Sequence, residues 1–230
     1  MRRKLQRFLD NASQRNLLEP GKPAFDNVLG NWNRDIFGND RQLVVELGCG
    51  YGELAVALAE SSPNRNVIGV DKRGARMWVG SSDATARGLV NVAFLRADIA
   101  ELDRYFGPGE IGEIWITFPD PRPKHRDARR RLTSPRFLNT YKQLLRGDGW
   151  VRFKTDDAEL FDYTLALLGN GIGVRSLAYT KDLYHSPLLT EQSGLQTRYE
   201  TRFLERGASI KYLEFQFHSG RPARHTTARP

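Results

Sequence analysis

A short run of alternating glycines behind an acid is the first place where this sequence could do chemistry. Glu46-Leu47-Gly48-Cys49-Gly50-Tyr51-Gly52 places a carboxylate two residues before the first glycine. Glycines at a strand-to-helix turn let main-chain N–H groups come close to a ligand. A dinucleotide fingerprint needs G-x-G-x-x-G, with its third glycine at position 53, and that position is Glu53. A carboxylate there repels a pyrophosphate and suits a ligand that is positive at this point. S-adenosylmethionine is such a ligand, with an ammonium group and a cationic sulfur. Asp71 follows the last glycine by 71 − 52 = 19 residues, where an acid can accept hydrogen bonds from both ribose hydroxyls. Asp98 can reach the exocyclic amine of an adenine. Each acid alone fits a helix cap or a surface turn; the set is harder to explain that way.

Charge supplies the second signal. Arg122 to Arg131 holds Arg122, Lys124, Arg126, Arg129, Arg130 and Arg131 against the single acid Asp127, so 6 − 1 = +5. A charge run is ordinarily a solvated surface. This one follows Asp120 at the end of an apolar run, and Pro121 and Pro123 keep its start out of a helix. A basic loop at a strand's C-terminal end faces the ligand crevice of an open α/β sheet, which points to a phosphate-binding surface.

The elements that must position these groups alternate. Apolar runs at Leu43–Leu47, Asn66–Val70, Val90–Leu95, Ile114–Phe118 and Gly149–Phe153 read as buried strands. Helical patterns fall between them, over Leu54–Ala59, Arg73–Arg87 and Pro135–Leu145, the last with Ser134 as cap and Pro135 at the first position. Asp156 is the expected cap of a helix running to Leu168. Val174–Tyr179 and Tyr212–Phe217 are two late strands. Strand–helix alternation predicts an α/β fold: a mostly parallel, seven-stranded sheet with helices on both faces. Residues 1–40 read as a basic N-terminal extension packed on or beside the core, 41–218 as the catalytic domain, and 219–230 as a disordered basic tail.

The whole chain has 230 residues, 40% hydrophobic and 27% charged, with Lys+Arg 35, Asp+Glu 27 and a net charge of +8. That is a folded composition, and no apolar run approaches the roughly 18–20 residues of a membrane span. The N-terminus lacks a signal peptide's apolar stretch, so a cytoplasmic location is expected. The single cysteine, Cys49, excludes an internal disulfide and reads as a small filler. The four histidines have no metal-ligand spacing, so no metal is expected. Trp115 and Trp150 read as core.

These motifs resemble those of a known family. The glycine loop looks like motif I of class I methyltransferases. Phe118-Pro119-Asp120-Pro121-Arg122-Pro123-Lys124 resembles the F-P-D-P-W-P-K signature of the bacterial tRNA (guanine-N7)-methyltransferases. Phe153-Lys154-Thr155-Asp156 resembles that family's T-D element, and Thr197-Arg198-Tyr199-Glu200, with Gly207, Ile210 and Leu213-Glu214-Phe215, its C-terminal pattern. The resemblance extends from about residue 4 to 217. Arg122 stands where the family usually has tryptophan, Asp71 where many relatives have glutamate, and Asp127-Ala128 interrupt a stretch that is usually basic.

The resemblance implies a Rossmann-like class I methyltransferase fold and methyl transfer from S-adenosylmethionine to N7 of guanine 46 in the tRNA variable loop. It implies cofactor contacts from Glu46, Gly48, Gly50, Asp71, Asp98 and Asp120, and substrate contacts from Lys124, Asp156, Thr197, Arg198, Tyr199 and Glu200. Arg126, Arg129, Arg130 and Arg131 are expected on RNA phosphates. Guanine N7 has a lone pair and no proton, so the reaction needs alignment and a tolerant field rather than a base. Asp120 suits the catalytic place, holding the guanine's N1–H and amino group as positive charge develops. Asp156 can share that task or order a segment. Lys124 can take a phosphate or flank the base, and Thr197 with Glu200 also fits a capping box. Tyr199 can be core or stack.

Three alternatives compete. A nucleotide-dependent dehydrogenase lacks its third glycine. A non-catalytic RNA-binding relative has no need of acids beside a phosphate partner. A methyltransferase of small molecules or proteins leaves the +5 segment unexplained. The sequence leaves both monomer and homodimer open.

Overall fold

The computed structural model describes residues 2–218, so the tail expected at 219–230 lies outside the described residues. Eight strands form one sheet: β1 (Leu17–Leu18), β2 (Gln42–Leu47), β3 (Arg65–Asp71), β4 (Val92–Arg96), β5 (Ile111–Thr117), β6 (Leu145–Thr155), β7 (Val174–Thr180) and β8 (Lys211–Phe217). Their spatial order is β1-β4-β3-β2-β5-β6-β8-β7. The pairs from β1 to β6 are parallel, and β8 runs antiparallel to both β6 and β7.

Strand alternation divides the core in two. Leu43, Val45 and Leu47 point to one face with Ile114 and Ile116. There they meet α4 (Pro135–Leu144) and α5 (Ala158–Gly169) through Leu138, Tyr141, Leu160 and Phe161. Val44 and Trp115 point to the other face, against α2 (Glu53–Ser61) and α3 (Gly74–Ala86) through Leu54, Leu58 and Met77. This period of two is what buries a parallel sheet on both faces. Trp150 is only half-buried, with the Arg152 guanidinium 5.6 Å from its ring.

The sheet has one strand more than the sequence suggested. The extra strand comes from the N-terminal segment, where Leu17 and Leu18, both buried, pair with Phe94 and Leu95. Two residues carry no period, so no pattern announces them. Ahead of them, α1 (Arg2–Ser13) lies against α3. Asn11 Nδ2 donates to the Gly74 carbonyl at 3.1 Å, and the Arg7 guanidinium sits 4.9 Å from the Trp78 ring. Lys22 closes the segment by donating to the carbonyls of Asn11, Gln14 and Leu17. Further along, Trp32 is fully buried and its indole N–H donates to the Tyr105 carbonyl at 2.8 Å.

Consecutive strands turn one way from β2, to β3 and β4, and then the other way, to β5 and β6. The switch lies between β2 and β5. Ligands of open α/β sheets bind outside the strand ends at such a point. Among the described residues, no helix is long and apolar enough to cross a membrane.

Candidate active site

A cavity of about 460 Å³ opens at this switch point. The segments following β2, β3, β5 and β6 line it, and a last helix, α6 (Arg198–Glu205), supplies Tyr199 and Phe203. Its walls carry six acids, Glu46, Glu53, Asp71, Asp120, Asp156 and Asp157, against two cations, Arg73 and Arg76.

The glycine loop forms because its φ angles demand it. Gly48, Gly50 and Gly52 have φ of 79°, 55° and 77°, a region costly for other residues. Gly52 is also pressed inward: a Cβ there would lie 2.5 Å from the Phe94 ring. Cys49 is buried in the loop, and burial pushes its thiol pKa well up, so it is no ready nucleophile.

Glu46 sits beneath the loop, almost fully buried. Its carboxylate accepts from the Ala55 N–H at 3.0 Å and the Thr117 hydroxyl at 3.2 Å. Burial, with smaller contributions from Asp71 and Glu53, pushes its pKa up to about 7 against these two bonds. Asp71 accepts from the Gly50 N–H at 3.0 Å and the Arg73 N–H at 2.8 Å, one on each oxygen. A carboxylate oxygen has two lone pairs, so both retain capacity for a ligand.

Across the cavity, the chain leaves β5 through a strained residue. Phe118 has φ of 48°, an outlier for a bulky side chain. Its N–H is held by the Lys154 carbonyl at 2.9 Å, and its ring stacks on Phe203 with centroids 6.1 Å apart. Asp120 follows with its side chain 66% exposed. Its Oδ1 accepts from the Arg122 N–H at 3.2 Å, and its Oδ2 lies 3.4 Å from Arg122 Nη2.

At the end of β6, the cap of α5 is Asp157 rather than Asp156: Asp157 Oδ1 accepts from Leu160 N–H at 2.7 Å. A one-residue shift in the cap leaves Asp156 lining the cavity. Burial raises the Asp156 pKa, with Asp157 adding and Lys211 opposing.

Thr197 caps α6 by accepting from the Glu200 N–H at 3.2 Å. The reciprocal half of the capping box is absent, because the Glu200 carboxylate turns inward to Lys154 at 2.6 Å and to the Tyr184 hydroxyl at 2.9 Å. Arg198 is tied to Glu53 twice, through its main-chain N–H at 2.7 Å and its Nε at 2.9 Å. Tyr199 is exposed, its ring 6.0 Å from Phe203.

The structure thus gathers Glu46, Gly48, Gly50, Asp71, Asp120, Asp156, Thr197 and Tyr199 around one cavity. Asp98 does not line it; exposed at the end of β4, it caps the next turn through the Ala100 N–H at 2.9 Å. Two expected contact residues are buried. Glu200 is 1% exposed and spent on Lys154 and Tyr184. Arg131 is buried with its guanidinium 4.3 Å from the Tyr163 ring, donating to the Arg122 carbonyl at 3.2 and 3.4 Å. Lys124, Arg126, Arg129 and Arg130 remain exposed on the loop and a 3₁₀ turn over 125–130. Sequence reasoning missed Thr117, Arg73, Arg76 and Phe203 in the lining. Lys72-Arg73-Gly74-Ala75-Arg76 after Asp71 was a readable basic signal; Phe203 reaches the cavity only because α6 folds back. Among the described residues, no group of three or more His, Cys, Asp or Glu can hold a metal.

Comparison with known proteins bears on the family and the fold. A family model described as "Putative methyltransferase" matches residues 40–213. The tRNA (guanine-N(7)-)-methyltransferase of Cytophaga hutchinsonii is 44% identical over 217 residues, covering 94% of this chain and 98% of that protein. That of Bacteroides fragilis is 44% identical over 217 residues, covering 92% and 84%. Among solved structures, the 16S rRNA methyltransferase KamB superposes with a TM-score of 0.60 at 20% identity, covering 80% of this chain and 92% of that one. A variant of the 16S rRNA (adenine(1408)-N(1))-methyltransferase with cosubstrate SAM, from Catenulisporales acidiphilia, superposes at 0.53 and 16% identity, covering 78% and 87%. At such identities these two structures share the fold, a Rossmann-like methyltransferase sheet.

Proposed function

This chain belongs to the tRNA (guanine-N7)-methyltransferase family, and on that premise we propose that it methylates N7 of guanine 46 in the variable loop of tRNA. The observation that carries the site reading is the acid-rich cavity at the switch point, with Asp120 on its rim and an exposed basic loop just beyond.

The cofactor is S-adenosylmethionine, which supplies an electrophilic methyl group on a positively charged sulfur. The cavity fits such a cation, because six acids on its walls face two arginines. Glu46 and Asp71 hold the ligand's ammonium and ribose ends. Gly48 and Gly50 leave room for it to lie against the backbone. Asp98 lies outside the cavity lining, so its contact with the adenine amine requires the cofactor to extend past that lining to the end of β4, where one Asp98 oxygen is not used in the cap.

The target nitrogen needs no deprotonation, so no side chain acts as a base. Asp120 accepts from the guanine's N1–H and amino group and faces a purine that gains positive charge. A fixed carboxylate stabilises that charge most as the bond forms, which is where binding accelerates a reaction. Asp156 backs the same edge, and Asp120 also borders the cofactor. Thr197 and the exposed Tyr199 and Arg198 flank the nucleotide. Lys124, Arg126, Arg129 and Arg130 take phosphates.

Labelled S-adenosylmethionine and unmodified tRNA, followed by mapping of the labelled nucleotide, test the reading. Label at N7 of guanine 46 is the expected result. Label at another nucleotide, or transfer to ribosomal RNA in place of tRNA, overturns it.

A further inference from the structure

The pair made by Asp120 and Arg122 has a chemical meaning of its own. The geometry points to Arg122 as a specificity-determining residue that reads guanine O6 while Asp120 reads N1–H. The inference rests on the reading of Asp120 as the carboxylate that holds the guanine.

Guanine's Watson–Crick edge offers two donors, the amino group and N1–H, and one acceptor, O6. Its complement is an acceptor with a donor at its side. Asp120 Oδ2 and Arg122 Nη2 are such a pair, side by side at 3.4 Å. Adenine reverses the pattern, with a donor at the sixth position and an acceptor at N1, so the same pair would meet it donor to donor and acceptor to acceptor. Sites that leave buried or charged polar groups unmatched reject the wrong ligand strongly. A contact to the O6 lone pair on the N1 side leaves N7 open to methylation.

Arg122 is held for this task. Its φ is 47°, a left-handed value that a long side chain adopts only where its surroundings impose it. Its carbonyl takes two N–H groups from the buried Arg131, and its own N–H is fixed on Asp120 Oδ1. The guanidinium, about a third exposed, is directed at Asp120. A tryptophan at this position has one N–H and cannot form such a fork. A cation gains nothing from the positive charge that appears on the purine. Arg122 therefore binds ground state and transition state alike, and its loss should appear in affinity and KM rather than in kcat.

The test compares full-length protein with Arg122→Met and Arg122→Lys variants, on tRNA carrying guanosine, inosine or 2-aminopurine at the methylated position. Inosine keeps O6 and N1–H and lacks only the amino group; 2-aminopurine keeps the amino group and lacks O6 and the N1 proton. Dissociation constants are measured with S-adenosylhomocysteine present, beside kcat and KM on guanosine. Arg122→Met should weaken guanosine and inosine equally, by roughly tenfold, and leave 2-aminopurine nearly unchanged. Arg122→Lys, a single donor, should recover part of the loss. An equal loss on all three bases identifies a phosphate contact and overturns the inference, as does no loss on any. If Arg122→Met fails to fold, Arg122→Lys decides alone: a smaller guanosine preference supports the inference, and an unchanged preference overturns it. Wild-type protein that forms no 7-methylguanosine brings down the underlying reading, whereas 7-methylguanosine with base-independent losses brings down only the role of Arg122.

Discussion

Lys154 and Glu200 form an ion pair 2.6 Å long with neither side chain more than 1% exposed. It joins the end of β6 to α6. Lys154 also donates to the Leu195 carbonyl at 3.0 Å, and Tyr184 supports Glu200 from the other side. Burial lowers the lysine's pKa, and the facing carboxylate opposes that shift. The two sequence elements that flank the cavity are thus one structural unit.

Removing one partner of this pair should be costly, because the other is left charged and buried. Glu200→Gln and Lys154→Met are each expected to lower stability by about 3–5 kcal/mol. Replacing both residues with apolar side chains of similar volume should recover most of that. Urea melts of the three variants check it; a single variant as stable as the wild type would sink the argument.

Glu46 makes ligand-free stability depend on pH. Its folded pKa of about 7 lies above the ordinary carboxyl value of about 4.5. Its contribution is fully present below about 4.5 and is lost as pH rises to about 7. The loss amounts to about 3 kcal/mol. Glu46→Gln should flatten that stretch, raise ligand-free stability at pH 8, and weaken S-adenosylmethionine binding by roughly 1–3 kcal/mol. Thermal melts at pH 5 and pH 8, with calorimetric titration of the cofactor, measure both effects. A variant with the wild-type pH slope would show that the burial of Glu46 carries no such cost.

Asp120→Ala should fold, keep most cofactor affinity, and lose at least a hundredfold in kcat, on the scale of one lost transition-state contact. Single-turnover methylation of tRNA reads this directly. Near-normal turnover would transfer the role to Asp156, the other rim carboxylate following a neighbouring strand.

Arg126, Arg129 and Arg130 are exposed, whereas Arg131 is buried against Tyr163. Replacing the first three with alanine should flatten the log–log salt dependence of tRNA binding by about 2, at roughly 0.7 per phosphate contact. Arg131→Ala should leave that slope alone and lower the melting temperature. An Arg131 variant that changes the slope and not the melt reverses the assignment.

Much of the positioning frame was legible because it follows from period and punctuation. The runs stopped by Gly48 after β2, by Asp71 at the end of β3 and by Pro119-Asp120 after β5 announce themselves as buried strands. What was not legible depends on partners distant in sequence. The burial of Glu200 needs Lys154, 46 residues earlier, and the burial of Arg131 needs Tyr163. Asp156 and Asp157 are equivalent as caps on paper, and only the backbone at the start of α5 chooses between them. α1 is too polar to stand as a helix by pattern alone; it lies against α3, where Arg7 meets Trp78.

The two residues of β1 have a consequence for solubility. A parallel strand such as β4, apolar on both faces, offers a row of unpaired amides to any passing chain when it lies at a sheet margin. Leu17 and Leu18 occupy that row, and the Lys22 clamp keeps them there. Cutting the chain after residue 24 would strip the cover while leaving every cavity residue in place. The shortened protein should aggregate through its bared margin, and an Asp or Lys substitution at an outward-facing margin position would be needed to keep it dispersed.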